Sequence, residues 1–268
     1  MSKKMSKKKK EESKALTVGD QYAVSSDLAA DFEGLGLGAG EEIDTKDILI
    51  PNLMLTQGLT KAVAKGKVAI GKYVNSTNLT DMGDKVEALV IQSYKVWQEF
   101  KIVTNGKDEY LGTIDFYGNE QLPYQYDNEQ GAACSRKEVL GFYVLLLNEI
   151  KSGVAFPYTI TFKGGSKKAG RELTSHFAKL RSVNLPSFAK VFSFGTELVE
   201  DEHTYYIKTV DMGRNITTEE LGSVKNWIAE LKKNKDRIKV DDTEEREEAS
   251  TVDVEATVVN NNAAGVKF

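Results

Sequence analysis

Between Val86 and Met212 the chain repeats one pattern, short segments of β-branched and aromatic residues bounded by Gly, Asn, Asp or Pro. The segments read as strands are Val86 to Ile91, Tyr94 to Val103, Tyr110 to Tyr117, Gly141 to Ile150, Val154 to Phe162, Phe188 to Thr196 and His203 to Met212. Asn105-Gly106, between the second and third, is a hairpin turn signal. One helical stripe interrupts the strands: Ala169, Leu173, Phe177 and Leu180 fall at i, i+4, i+8 and i+11, after Gly164-Gly165-Ser166 with Ser166 as the expected N-cap. A second helix is predicted after the capping box Thr217-Thr218-Glu219-Glu220, with Leu221, Val224, Trp227, Ile228 and Leu231 as its apolar stripe. Strands this short and regular, with so few helices, argue against alternating β-α units. They predict a β-rich α+β fold, a barrel or sandwich with one internal and one C-terminal helix.

The ends differ from this body. Residues 1–45 open with Lys3, Lys4 and Lys7 to Lys10 and show no sustained period, so they are read as a flexible Lys-rich arm. Residues 46–235 form the single β-rich domain, and 236–268 an acidic disordered tail. Charge is segregated accordingly. Residues 1–45 hold 7 basic and 9 acidic residues and residues 241–268 hold 2 and 8, so the chain's 36 basic and 40 acidic residues leave 27 and 23 for residues 46–240. The body is about +4 in a chain of net charge −4. A basic body with an acidic tail suits a nucleic-acid binder, and acidic tails also serve as solubilising ends.

The motifs of catalysis are missing. A single cysteine, Cys134, excludes an internal disulfide, and with only His176 and His203 beside it nothing has metal-ligand spacing. Gly66-Lys67-Val68-Ala69-Ile70-Gly71-Lys72 matches seven positions of a phosphate loop, but Tyr73 stands where the Mg²⁺-binding hydroxyl belongs and no helix pattern follows. Gly34 to Gly40 alternates Gly with small apolar residues and has no strand before it, so it is not a dinucleotide loop. The chain is read as no enzyme, with no cofactor and no metal. No apolar run reaches membrane-spanning length and no signal-peptide core follows the basic N-terminus, so a cytoplasmic protein with no membrane partner is expected.

The segment from Lys151 to Lys190 carries eight cations (Lys151, Lys163, Lys167, Lys168, Arg171, Lys179, Arg181, Lys190) against one acid, Glu172. Four of them crowd the start of the predicted helix, where positive charge opposes the macrodipole and free N–H groups favour an anion. Lys163, Lys167, Lys168, Arg171, Lys179 and Arg181 are therefore candidate phosphate contacts; a solvated face kept for solubility is the competing reading. Aromatics on the strands mix with Lys95, Lys101, Lys163 and Lys208. Two neighbours in a strand point to opposite faces, so pairs such as Tyr205-Tyr206 leave one ring outside any single core. Trp97, Tyr117, Tyr124, Tyr126 and Tyr206 are the candidate base-stacking residues, while Phe188, Phe192 and Phe194 share one face and are assigned to the core.

Four stretches carry a resemblance. They are Ile48 to Gln57 followed by Gly66-Lys67 and Gly71; Val96-Trp97; Phe162 to Leu173; and Leu185 to Phe192 leading to Thr204-Tyr205-Tyr206. In these, over roughly residues 46–235, the chain resembles tailed-phage replication proteins that bind single-stranded DNA and have an OB-like fold. The resemblance implies sequence-independent single-stranded DNA binding in phage DNA replication or recombination, in the host bacterial cytoplasm. The tail is similar in plan to that of bacterial single-strand binders, whose terminal Phe docks on replication proteins. Phe268 fits that plan, whereas Lys267 and Asn260 to Asn262 depart from its acidic tip. A virion or assembly protein with no DNA-binding role is the alternative, and the oligomeric state is left open.

Overall fold

The computed structural model describes residues 49–58, 60–104, 108–200, 204–233 and 239–240. The expected arm at 1–45, the Asn105-Gly106 turn and nearly all of the acidic tail, with Phe268, lie outside these residues. Two long antiparallel strands dominate, β5 (Val86–Lys101) and β8 (Ala133–Leu146), paired from Ala88↔Leu146 to Lys101↔Cys134. What reads in the sequence as two strands is one, with a bulge at Ile91: Val90 pairs with Val144 and Gln92 with Tyr143. The extra residue resets the alternation. Val86, Ala88 and Val90 share a face before it, and Lys95, Trp97 and Glu99 continue that face after it.

The two halves of this pair have different neighbours. Beside the proximal half lie β10 (Lys190–Glu200), then β11 (Thr204–Asn215), on one edge and β9 (Pro157–Phe162) on the other. Beside the distal half lie β6 (Glu109–Asp115) and the short β7 (Gln125–Asp127). Gly141 faces Tyr94 across the pair, and a Cβ there would stand 2.0 Å from the tyrosine ring. Its bare backbone lets Tyr94 lie flat on the strand and reach Tyr143, ring centroids 5.2 Å apart.

The proximal half is apolar on both faces, as a strand covered on both sides must be. One face packs Val86, Ala88, Val90, Phe142, Phe162, Phe192 and Phe194 against the internal helix Lys167–Ser182, through Ala169, Leu173, Phe177 and Leu180. That face also receives Leu53 and Tyr73 from a second sheet of β2 (Leu53–Leu55), β3 (Tyr73–Asn75) and β4 (Asp81–Gly83). The other face packs Leu89, Ile91, Leu145 and Val191 against the C-terminal helix Thr218–Lys233, through Val224, Trp227, Ile228 and Leu231. Each large apolar side chain buried this way stabilises the fold by about 1.5–3 kcal/mol. Two short helices complete the order, Lys61–Ala64 (α1) and Leu147–Lys151 (α2), so the longer ones are α3 (Lys167–Ser182) and α4 (Thr218–Lys233).

Three local expectations are corrected. Leu147–Lys151 is helical where a strand to Ile150 is read from sequence, because the chain leaves the sheet at Leu146. Ser166 does not cap α3: it sits in the right-handed helical region within a 3-10 turn, Gly164–Ser166, and its Oγ accepts from the Lys208 N–H instead (2.9 Å). The chain also regains a strand inside the segment read as tail: β12 (Lys239–Val240) pairs in parallel with β1 (Leu49–Ile50). The capping box of α4 forms as read. The Thr217 N–H donates to Glu220 Oε2 (2.8 Å) and the Glu220 N–H to Thr217 Oγ1 (3.3 Å). Two hydrogen bonds from Arg214 hold the Glu220 carboxyl at about 2 against its burial.

The architecture is β-rich and antiparallel, and the sheets do not close into a barrel. Between β9 and the β1–β2 segment there is one parallel bridge, Asn52↔Thr159, supported by the Thr159 N–H to Pro51 O bond (2.9 Å). Between β2 and β11 a side chain substitutes for a strand. Gln57 donates from Nε2 to Tyr206 O (2.8 Å) and accepts the Tyr206 N–H at Oε1 (3.0 Å). With Ser166 on the Lys208 N–H, these contacts satisfy backbone groups that an edge strand otherwise presents to any passing chain.

Candidate nucleic-acid interface

The helical period decides where the cations of α3 point. Lys168, Arg171, Ser175 and Lys179 stand at i, i+3, i+7 and i+11, on the side away from Leu173 and Leu180, and all four are exposed. Arg181 is exposed but two positions off that stripe, on the helix flank. Lys167 turns the other way and is committed to a carboxylate: it and Lys95 (2.7 Å) both contact Glu138 of β8. Burial pushes the Glu138 carboxyl up, but the two ammonium groups outweigh it and hold the carboxyl below its usual range. Of the cations read from sequence, Lys168, Arg171 and Lys179 thus form one outward face. Lys167 is corrected to a tie between α3 and the distal strands.

Lys163 ends up elsewhere, with residues that sequence reasoning did not assemble. It lies just past β9 and lines a pocket of about 180 Å³ with Thr161, Gly165, Ser166, Gln57 and the β11 residues Tyr205 to Lys208. Because β11 borders this pocket with its edge, residues of both its faces reach it, and so Tyr205 and Tyr206 both contribute. On the far side of Tyr206 lies a wider hollow bordered by Ile70, Gly71, Lys72, Asp84, Lys85 and Thr196. Tyr206 belongs to both. The two hollows form a trough along the β11 edge with a tyrosine at its middle and lysines at each end.

Each part of the trough is held in place. The Tyr206 backbone is fixed by Gln57, and its ring lies over Gly71, where an added Cβ would meet ring carbons at 2.5–2.8 Å. Gly71 also has φ +76°, which favours glycine. The loop bearing it is fastened by Thr56, whose Oγ1 donates to Ala69 O (2.8 Å) or Lys72 O (3.0 Å) and accepts the Lys72 N–H (2.9 Å). This is the phosphate-loop-like stretch, and it leads into β3 rather than a helix. Lys72 pairs with Asp84 (3.0 Å) at the surface. Lys208 is 5 % exposed and donates from Nζ to Thr161 O (2.8 Å). Lys72, Lys85, Lys208, Tyr205 and Gln57 complete the trough; several of them stand in stretches singled out in the sequence, but nothing in their spacing joins them.

The distal strands carry the remaining aromatics. Trp97 is only 2 % exposed. Its ring packs on Phe116 (centroids 5.1 Å) and Tyr124 (5.2 Å), and its Nε1 donates to Asn119 O (3.0 Å), so the expectation of an open stacking face is corrected to packing. Tyr126 is half-buried under the Arg136 guanidinium (3.7 Å) and donates to Glu99 Oε1 (2.7 Å); burial and that carboxylate push its hydroxyl up to about 12. Its ring face is occupied by its own chain. Tyr117 (67 % exposed) and Tyr124 (59 %) are open to solvent, and Lys95 lies 3.5 Å over the Phe116 ring beside them. Of the five stacking candidates, Tyr206 stands in the trough, Tyr117 and Tyr124 form a separate exposed group, and Trp97 and Tyr126 are engaged.

Among the described residues no three His, Cys, Asp or Glu come together as a metal would need, and no helix is long and apolar enough to cross a membrane. Cys134 is buried. Comparison of the chain with protein-family models, curated proteins and solved structures returned no match.

Proposed function

We propose that this chain binds single-stranded DNA without reading its sequence, with the strand lying along the β11 trough. The observation that carries the reading is Tyr206, fixed between two hollows that are lined by Lys163 and Lys208 on one side and Lys72 and Lys85 on the other. A base stacked on an aromatic ring contributes about 1–3 kcal/mol whatever its identity, and lysines beside it neutralise phosphates. Lys168, Arg171 and Lys179 add positive field where the strand approaches α3. Nothing in this set has the side chains of base-edge readout arranged as a code, so affinity comes from stacking and charge.

The same reading takes the fold as an OB-like arrangement left open: the Asn52↔Thr159 bridge and the Gln57 amide set β9, β2 and β11 side by side in the order a barrel would need. The resemblance to tailed-phage replication proteins supports a place in phage DNA replication or recombination, with replication proteins meeting the acidic tail. The test is fluorescence anisotropy of labelled oligo-dT and of duplex DNA at low and moderate salt. Single-strand preference that fades with salt is expected. Equal weak binding to both, or none, would overturn the proposal and favour a virion or assembly role.

A further inference from the structure

We infer that the smaller hollow of the trough is a phosphate-group pocket, built to take one tetrahedral oxyanion at the start of α3. The inference rests on the single-stranded DNA reading for the source of the phosphate, and on the pocket itself for its chemistry.

Three features converge there. The first is the approach to a 16-residue helix: Gly165 and Ser166, in the turn that leads into it, line the pocket, so the positive end of the helix dipole lies beside it. The second is charge. Lys163 and Lys208 line the hollow, and no carboxylate does among the described residues. The third points to a ligand independently of both. Thr161 is 7 % exposed, lines the same pocket, and its Oγ1 is a buried polar atom with no hydrogen-bond partner among the described residues. Leaving a buried hydroxyl unsatisfied costs about 1–3 kcal/mol, and valine would fill the same space without that penalty. A hydroxyl retained at this position is explained by a group that hydrogen-bonds it when bound. Ser166 adds to the set: its Oγ already accepts from the Lys208 N–H, and a hydroxyl that accepts still has a hydrogen to donate. A phosphate oxygen is the acceptor that a hydroxyl, a helix start and two ammonium groups have in common. The volume of about 180 Å³ admits one such group and part of a sugar, not a duplex.

The probes are inorganic phosphate, followed by calorimetry against chloride at constant ionic strength, and labelled oligo-dT with or without a 5′-phosphate, followed by anisotropy. The full chain is compared with Thr161→Val and Lys163→Ala, each checked by thermal melting. Wild type is expected to bind inorganic phosphate, Thr161→Val to weaken it at least fivefold with an unchanged or higher Tm, and Lys163→Ala to weaken it with folding intact. Equal oligonucleotide affinities with and without the 5′-phosphate would assign the pocket to a backbone diester, and a gain with the 5′-phosphate would assign it to a strand terminus; both support it. Phosphate binding unchanged in Thr161→Val, or absent in wild type, overturns the pocket. Should oligo-dT still bind in that case, the single-strand reading survives; should phosphate bind and oligo-dT not, the pocket survives and the strand reading falls.

Discussion

The outward face of α3 and the trough along β11 are both basic, yet they are built on different terms. On α3 the cations are placed by a period of 3.6 residues and end in solvent, so Lys168, Arg171 and Lys179 supply a field without a geometry. In the trough six separate stretches of chain converge, and a backbone or side-chain bond fixes most of what they bring: Gln57 on Tyr206, Thr56 on the Gly71 loop, Thr161 on Lys208. A surface of the first kind raises the local concentration of any polyanion. One of the second kind can hold a particular group in a particular place.

The largest effect should fall on the fixed surface. Tyr206→Ala is expected to weaken oligo-dT binding by about 1–3 kcal/mol, on the order of tenfold to a hundredfold, with the salt dependence nearly unchanged. Gly71→Ala should act alike by forcing the Tyr206 ring away while costing at least about 1 kcal/mol of stability, since both the φ of +76° and the ring contact at 2.5 Å oppose a Cβ. If neither change is felt in anisotropy titrations, the trough does not hold the strand. Next comes the field. Replacing Lys168, Arg171 and Lys179 together by Ala should lower the slope of log K against log salt by about 2 and leave binding at high salt almost as in wild type. A loss that persists at high salt would erase the distinction between the two surfaces.

Two smaller effects sharpen it from the side of pH. Glu220 lies away from both surfaces, and its folded value of about 2 is below the ordinary glutamate value of about 4.3. Its contribution is therefore complete above the ordinary value and is lost as pH falls from there through about 2. Glu220→Gln should cost on the order of 1 kcal/mol at neutral pH, flatten the acid limb of a thermal-melt series and leave DNA affinity alone. Glu138 is also held low, by Lys167 and Lys95, so its contribution too is present at neutral pH and fades as pH drops below the usual carboxylate range. Glu138→Gln releases both lysines beside α3 and is expected to steepen the salt dependence by about 1, with a stability loss of a few tenths of a kcal/mol.

Those two surfaces also mark the limit of what is legible in sequence. The stripes of α3 and α4 and the Thr217–Glu220 box are local patterns, and they form as read. The Tyr94 segment was legible as strand but not as a continuation of β5, because the extra residue at Ile91 breaks a strict period of two. The first half of β8, Ala133 to Val139, is hidden for a different reason: its face carries Arg136 and Glu138, held by ion pairs across the sheet that no propensity reports. Trp97 has polar neighbours in sequence and is covered by Phe116 and Tyr124, which arrive from beyond the next strand. Lys163 was legible as basic, but the residues that share its pocket lie at Gln57 and at Tyr205 to Lys208, too far apart for any spacing rule.

The Gln57 clasp on Tyr206 has a kinetic consequence. It joins residues 149 positions apart, and Ser166 reaches Lys208 over 42. Contacts that close loops of that size come late, after α3 and the β10–β11 hairpin have formed from nearer neighbours. The trough is thus expected to be among the last parts of the molecule to mature during refolding. Recovery of its ligand affinity should trail the return of helix and sheet signal, so that binding competence dates a late step of folding.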